Sequence, residues 1–220
     1  NAYTTPSNHL FEQMQIALSP EEGAYRFGKG TVYVLRNDPK EYVLTENGDK
    51  KLIETVENLY EQNADAGKLE YKNNFYLSRG AYDLVSVLEE SVSDTPYLIE
   101  GELVDLFDPT LPVYRSRQIQ PGEQAFFLNI DRIEDKNKPQ VLASAGRSYN
   151  EIRNSNSYSF ISKGPADTYN ATRVLLPVKP EKVMINSTEQ NVADLWDTNS
   201  NTCLLRFDNS PEGVKVEFSW

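Results

Sequence analysis

From about Lys68 to Trp220 the chain is a succession of short apolar or alternating runs, each closed by a turn signal. NFYLSRG, YDLVSVLEE, YLIEGELVDLF, QAFFLNIDRI, ATRVLLPV and GVKVEFSW are representative. Runs of this length, rich in β-branched and aromatic residues, suit strands and are too short for ordinary helices. The breaks at Arg79-Gly80, Asp108-Pro109, Pro121-Gly122, Lys163-Gly164-Pro165 and Asn209 to Gly213 recur at roughly the 8 to 12 residue spacing of β-sandwiches. The pattern predicts a mainly β chain with two antiparallel β-sandwich modules, over 68–133 and 138–220. The charged, turn-rich stretch DRIEDKNKPQ, residues 131–140, is the expected boundary between them.

Residues 1–63 read differently, as a short helix-strand-helix α/β segment. SNHLFEQMQIAL spaces Leu10, Phe11, Met14, Ala17 and Leu18 as one face of a helix beginning near Ser7. A β-rich run comes next, from Thr31 to Leu35, and is broken at Asn37-Asp38-Pro39. LIETVENLYEQ then aligns Leu52, Ile53, Val56, Leu59 and Tyr60, with Asp49 as the expected N-cap. A single strand between helices forms no sheet of its own. The segment is therefore expected to be the end of a larger or truncated domain, or a cap on the β-rich region C-terminal to it. The chain starts at Asn1 with no charged n-region or apolar h-region, as a mature form or an excised fragment would.

Charge and rare residues exclude several classes. With a formal net charge of -11 and a pI near 4.7, the chain repels phosphate backbones and anionic headgroups, so neither nucleic acid nor a membrane surface is an expected partner. No run approaches the ~20 apolar residues of a membrane-spanning helix. Cys203 is the only cysteine, which rules out an intrachain disulfide and a multi-thiolate zinc site. Its apolar surroundings in NTCLLRF predict a buried, structural thiol. His9 is the only imidazole and stands at the start of a helix, outside any nucleophile motif. FGKGT lacks the spacing of a phosphate-binding loop, and its glycines read as a tight turn. No cofactor and no metal is expected. The triplets at Asn170 and Asn186 match the N-glycosylation pattern and carry no weight outside a eukaryotic secreted protein.

Two groups of residues hold the available chemistry. In YLIEGELVDLFDPTLPV, Glu100, Glu102, Asp105 and Asp108 crowd into nine positions. Glycoside hydrolysis needs two carboxylates about 5 to 10 Å apart across a sugar cleft. The competing reading is solvated strand and turn, with Gly101 breaking the register and Asp108 closing an Asx-type turn onto local amides. EF-hand spacing is missing, and an irregular calcium site stays open. Arg79 in SRGAYD is a candidate ion-pair partner of Asp83. The second group is aromatic. Trp196, Trp220, Tyr158 and Tyr169 lie near expected loops or strand ends, where flat rings bind neutral sugars; the alternative is that they fill the core.

Several phrases together carry a family resemblance: FYLSRGAYDLVSVLEESVSDTPYLIEGELVDLFDPTLPV, IQPGEQAFFLNIDRI, SKGPADTYNATRVLLPVKPEKVMI and CLLRFDNSPEGVKVEFSW. From about Lys68 to Trp220 the chain resembles the C-terminal β-sandwich region of large secreted bacterial (Bacteroides-type) glycoside hydrolases of β-galactosidase-like type. GKGTVYVLRNDPKEY with the LIETVENLY helix resembles the closing strand and helix of an α/β domain in such enzymes. The resemblance implies a non-catalytic accessory or structural region, periplasmic or extracellular, whose partners are a glycan or the catalytic domain of the same polypeptide. Catalytic glutamates of that family belong to a barrel of ~250 residues, and no position here matches them. Two alternatives stand beside it: a free-standing carbohydrate-binding module using exposed aromatic side chains, and a small carboxylate-dependent glycosidase.

Overall fold

The structure, a computed structural model, describes residues 6–63 and 66–220. The protein is mainly β, with every paired strand antiparallel, and it divides into two compact units, 1–71 and 72–220. The first five residues of the expected N-terminal segment lie outside the described residues.

In the first unit, helix α1 (Pro6–Gln13) stops one turn earlier than its apolar spacing predicts. Gln15 adopts a left-handed φ of 56°, which a continuing helix does not tolerate, so Ala17 and Leu18 fall outside it and Leu18 is exposed. The strand expected at Thr31–Leu35 has a partner within the segment. Strands β1 (Gly23–Phe27) and β2 (Gly30–Val34) form a two-stranded hairpin whose turn places Gly28 at φ 57°. The β signal of GAYRF is weak because its glycine, arginine and single small apolar residue dilute it. Asn37-Asp38-Pro39 does more than end a strand: Asp38 caps helix α2 (Pro39–Leu44) by accepting from the Lys40 amide at 3.0 Å, and Pro39 sits in the first turn. Helix α3 (Gly48–Asn58) comes next, continued by a π-turn over Leu59–Asn63. Its N-cap is Asn47, in the left-handed region and without a side-chain cap bond, while Asp49 occupies the first turn.

The second unit contains three sheets. Sheet I takes β3 (Asn74–Arg79), β4 (Tyr82–Val87), β5 (Tyr97–Asp105), β6 (Val113–Ile119) and β7 (Gln124–Asn129) in the order β3-β4-β7-β5-β6. Sheet II comprises β8 (Gln140–Ser144), β11 (Tyr169–Leu175), β14 (Trp196–Asp197) and β15 (Thr202–Asp208), ordered β14-β15-β11-β8. Sheet III comprises β9 (Arg147–Asn154), β10 (Ser157–Lys163), β12 (Lys182–Ile185), β13 (Thr188–Gln190) and β16 (Val214–Ser219), ordered β13-β12-β16-β10-β9. A four-residue helix, α4 (Val192–Leu195), precedes β14.

Alternation along the strands decides how these sheets stack. Tyr158, Phe160, Val216 and Phe218 of sheet III meet Val174, Cys203, Leu205 and Phe207 of sheet II in one buried cluster, the core of a two-sheet sandwich. The opposite face of sheet II, through Leu142, Ala171 and Leu175, packs on Val104 and Leu128 of sheet I and on Leu111 of the loop after β5. Sheet II is thus the middle layer. The remaining face of sheet I buries Val85, Val87, Ile99, Leu103, Ile119 and Phe127, all from that one sheet, so the sheet coils around its own core. Tyr76 of β3 and Tyr97 of β5 stack with centroids 5.8 Å apart, although three flat strand spacings would separate their strands by about 14 Å.

Buried polar groups fix this packing. Asp83 is fully buried and accepts from Arg132 Nη1 at 2.6 Å, the Tyr76 hydroxyl at 2.8 Å and Asn129 Nδ2 at 3.2 Å. The expected Arg79–Asp83 pair is therefore corrected. Arg79 closes the β3–β4 hairpin opposite Tyr82, and in a strand neighbouring parities point to opposite faces. Between sheets I and II, Arg173 is buried and donates through Nε to the Leu111 carbonyl and through Nη1 to Thr202 Oγ1, each at 2.7 Å. Burial pulls this guanidinium below its ordinary range, with nearby Asp197 opposing. Asn170, fully buried, donates to Ser162 Oγ at 3.0 Å and to Asn209 Oδ1 at 2.9 Å. Its side chain is closed to any modification in the folded protein. Among the described residues, no helix is long and apolar enough to cross a membrane.

Candidate functional site

The acid-rich stretch divides into strand and turn. Glu100 and Leu103 flank a bulge at Gly101, whose φ of 140° and whose approach to Asn129, where a Cβ would lie 2.8 Å from Nδ2, both call for glycine. Past the bulge, Glu102 pairs with Arg115 at 2.7 Å and Lys136 at 3.5 Å. Asp105 Oδ1 then accepts the amides of Phe107 and Asp108 at 2.9 and 3.3 Å, and Asp108 Oδ1 accepts the amide and hydroxyl of Thr110 at 2.8 and 2.7 Å. These consecutive Asx-type turns shape the loop between β5 and β6. The four acids do not converge on one centre.

That loop forms one wall of a solvent-open cleft of about 680 Å³ between sheets I and II. It contributes Leu106, Asp108, Pro109 and Leu111; sheet I contributes Tyr82 and Phe126; sheet II contributes Leu142, Ala171 and Tyr169, together with the turn after β8. Deeper in, the two sheets close against each other through Val104, Leu111, Leu128 and Leu175 and through the hydrogen bonds of Arg173. Tyr82 and Phe126 lie 5.6 Å apart at 33°, and Phe107 meets Phe126 edge-on at 6.1 Å, so three rings form a continuous aromatic surface. Tyr169, on the opposing sheet, is 61% exposed.

Asp108 is the one carboxylate among the lining residues. The hydroxyl and amide of Thr110 hold its carboxyl below the usual carboxylate range, against the opposing pull of partial burial and with help from the Arg206 charge. It is a fixed anion, the opposite of a general acid, which must keep its proton near neutrality. Ser144 also reaches the cleft, but its hydroxyl bonds Thr172 Oγ1 at 2.7 Å and accepts the Gly146 amide at 3.1 Å, with no base beside it. Among the described residues no group of three or more His, Cys, Asp or Glu side chains could hold a metal ion.

The four aromatic candidates separate cleanly. Tyr158 is corrected: it is fully buried, its hydroxyl donates to Glu151 Oε2 at 2.8 Å, and its ring stacks on Phe218 at 6.1 Å. Burial raises its phenol pKa well above the ordinary value, and neither ring face reaches solvent. Trp196 and Trp220 are half-buried and pack against the sandwich core. Tyr169 alone of the four lines the cleft. Cys203 is fully buried, with its thiol pushed up to about 12 by burial. Tyr82 and Phe126 are site residues that sequence reasoning missed, although a signal existed. YDLVSV and QAFFLN carry apolar residues at both parities, the mark of a strand with no purely solvated face.

Family models give no match to the chain, and neither do curated proteins.

Proposed function

We propose that the chain is a non-catalytic accessory region of a secreted polysaccharide-degrading glycoside hydrolase, and that the 72–220 unit contacts glycan through the cleft between sheets I and II. One observation carries the reading: a solvent-open, aromatic-walled cleft of about 680 Å³ with a single carboxylate, Asp108, in its lining. Flat rings offer the apolar faces on which pyranose C–H groups stack, and a few polar groups at the edge orient the ligand. The resemblance of 68–220 to β-sandwich regions of such enzymes supports the same reading. The glycosidase alternative requires an acid that keeps its proton near neutrality, whereas Asp108, the carboxylate of the lining, is held below the usual carboxylate range by Thr110.

Affinity gel electrophoresis on a panel of soluble neutral polysaccharides tests the proposal. At least one polysaccharide is expected to retard the protein, with Tyr169→Ala or Tyr82→Ala weakening binding at least about tenfold, the usual scale for truncating an aromatic anchor. Mobility unchanged across the panel would overturn the glycan reading. Turnover of aryl glycosides would overturn the non-catalytic one.

A further inference from the structure

Beside the cleft, strand pairing places two charged residues that its lining does not include. Tyr169 and Ala171 both line the cleft, and in the β11–β15 ladder they lie directly opposite Asp208 and Arg206. Directly opposed residues of an antiparallel pair project from the same face, so Asp208 and Arg206 stand on the cleft side of sheet II, next to Tyr169. Both are exposed, and neither side chain makes a hydrogen bond or a salt bridge among the described residues. Strand β14 pairs with β15 only at Cys203 and Thr202, so on the side away from β11 no described strand flanks β15 at 206–208. The mouth of the cleft thus combines an exposed ring with Asp208 and Arg206, and the Arg206 charge also acts on Asp108.

Deepening the glycan reading, on which it rests, we infer that Arg206 and Asp208 form the polar half of the site and select a neutral glycan by bridging adjacent hydroxyls of the sugar stacked on Tyr169. A carboxylate only accepts hydrogen bonds and a guanidinium only donates them, whereas each sugar hydroxyl does both. Neighbouring hydroxyls can therefore donate to Asp208 and accept from Arg206. Residues two apart on a strand have Cα atoms about 7 Å apart, a separation that the long arginine side chain closes so that both polar ends meet neighbouring hydroxyls of one ring. The local balance of two anions to one cation, within a chain of net charge -11, repels uronate and sulfate groups.

Calorimetric titration of the full chain tests this with neutral hexasaccharides, drawn from the polysaccharides that retard it, and with a galacturonic acid hexamer. Arg206→Ala and Asp208→Asn are each expected to weaken neutral binding about tenfold, the scale of a hydrogen bond to a charged group. Arg206→Lys should recover part of the loss, and the galacturonate should not bind. Either variant at wild-type affinity, or galacturonate binding as tightly as the neutral ligand, overturns the inference while loss in Tyr169→Ala leaves the glycan reading standing. Absence of any neutral binding, or full binding by Tyr169→Ala, overturns both. Exposed substitutions of this kind leave folding nearly unchanged, which unchanged urea midpoints would verify.

Discussion

The two faces of sheet II are built from the same strands and have opposite fates. Toward sheet III, Val174, Cys203, Leu205 and Phe207 are buried, and even the polar positions Asn170 and Thr172 are sealed in mutual hydrogen bonds. Toward sheet I, Ala171 and Leu175 are buried around the Arg173 pin, while Tyr169, Arg206 and Asp208 open to solvent. Sheet III covers its face with the paired strands β10 and β16, in register over six residue pairs. Sheet I, coiled around its own core, covers the other face only in part. The contrast teaches that one strand can serve core and surface site at once, with residue parity choosing the side and the neighbouring layer's curvature choosing where solvent enters.

That contrast can be broken hardest from the closed side. Phe160→Ala empties a fully packed position and is expected to cost about 3–5 kcal/mol in urea unfolding. On the open side the largest effect belongs to the pin. Arg173→Met keeps length but leaves the Leu111 carbonyl without this donor and the Thr202 hydroxyl with Ser200 Oγ as its remaining side-chain partner, for an expected loss of about 2–4 kcal/mol. If Arg173→Met proves neutral, apolar packing alone holds sheets I and II together and the pin is incidental.

The smallest effect sharpens the chemistry of the open side. Asp108 titrates below its ordinary 3.8 because Thr110 bonds its charged form. A group whose folded pKa is depressed contributes stability that is present above the unfolded value and lost as pH falls through the folded one. Its charge therefore stays constant from neutrality down to about pH 5 and disappears only in the strongly acid range. Carboxyl NMR should place the Asp108 midpoint below 3.8 and show it rising toward 3.8 in Thr110→Ala. A midpoint already at the ordinary value would remove the Thr110 turn from the account.

Much of the fold was legible because its signals are local. The turn breaks at Gly80, Gly122 and Gly213 fall between strands, the bulge at Gly101 lies where register was expected to break, and the Asp105 and Asp108 turns arise from carboxylates two or three residues from the amides they accept. The β1–β2 hairpin, the cap at Asp38 and the Asp83–Arg132 pair were not legible. The first two have weak or ambiguous side chains, and the third joins residues far apart in the chain. Of the cleft, Tyr169 was visible as an aromatic near a strand end; nothing local distinguished it from Tyr158.

Composition and periodicity by themselves determined that this chain is β-rich, acidic, without a disulfide and without an imidazole cluster, because those properties are sums over residues or patterns within one strand. Which tyrosine is core and which is surface, which acid is paired, and where two sheets part to leave a cleft were decided only by the tertiary structure. Burial and convergence depend on what packs from elsewhere in the chain, and that information resides in the register and coiling of whole sheets.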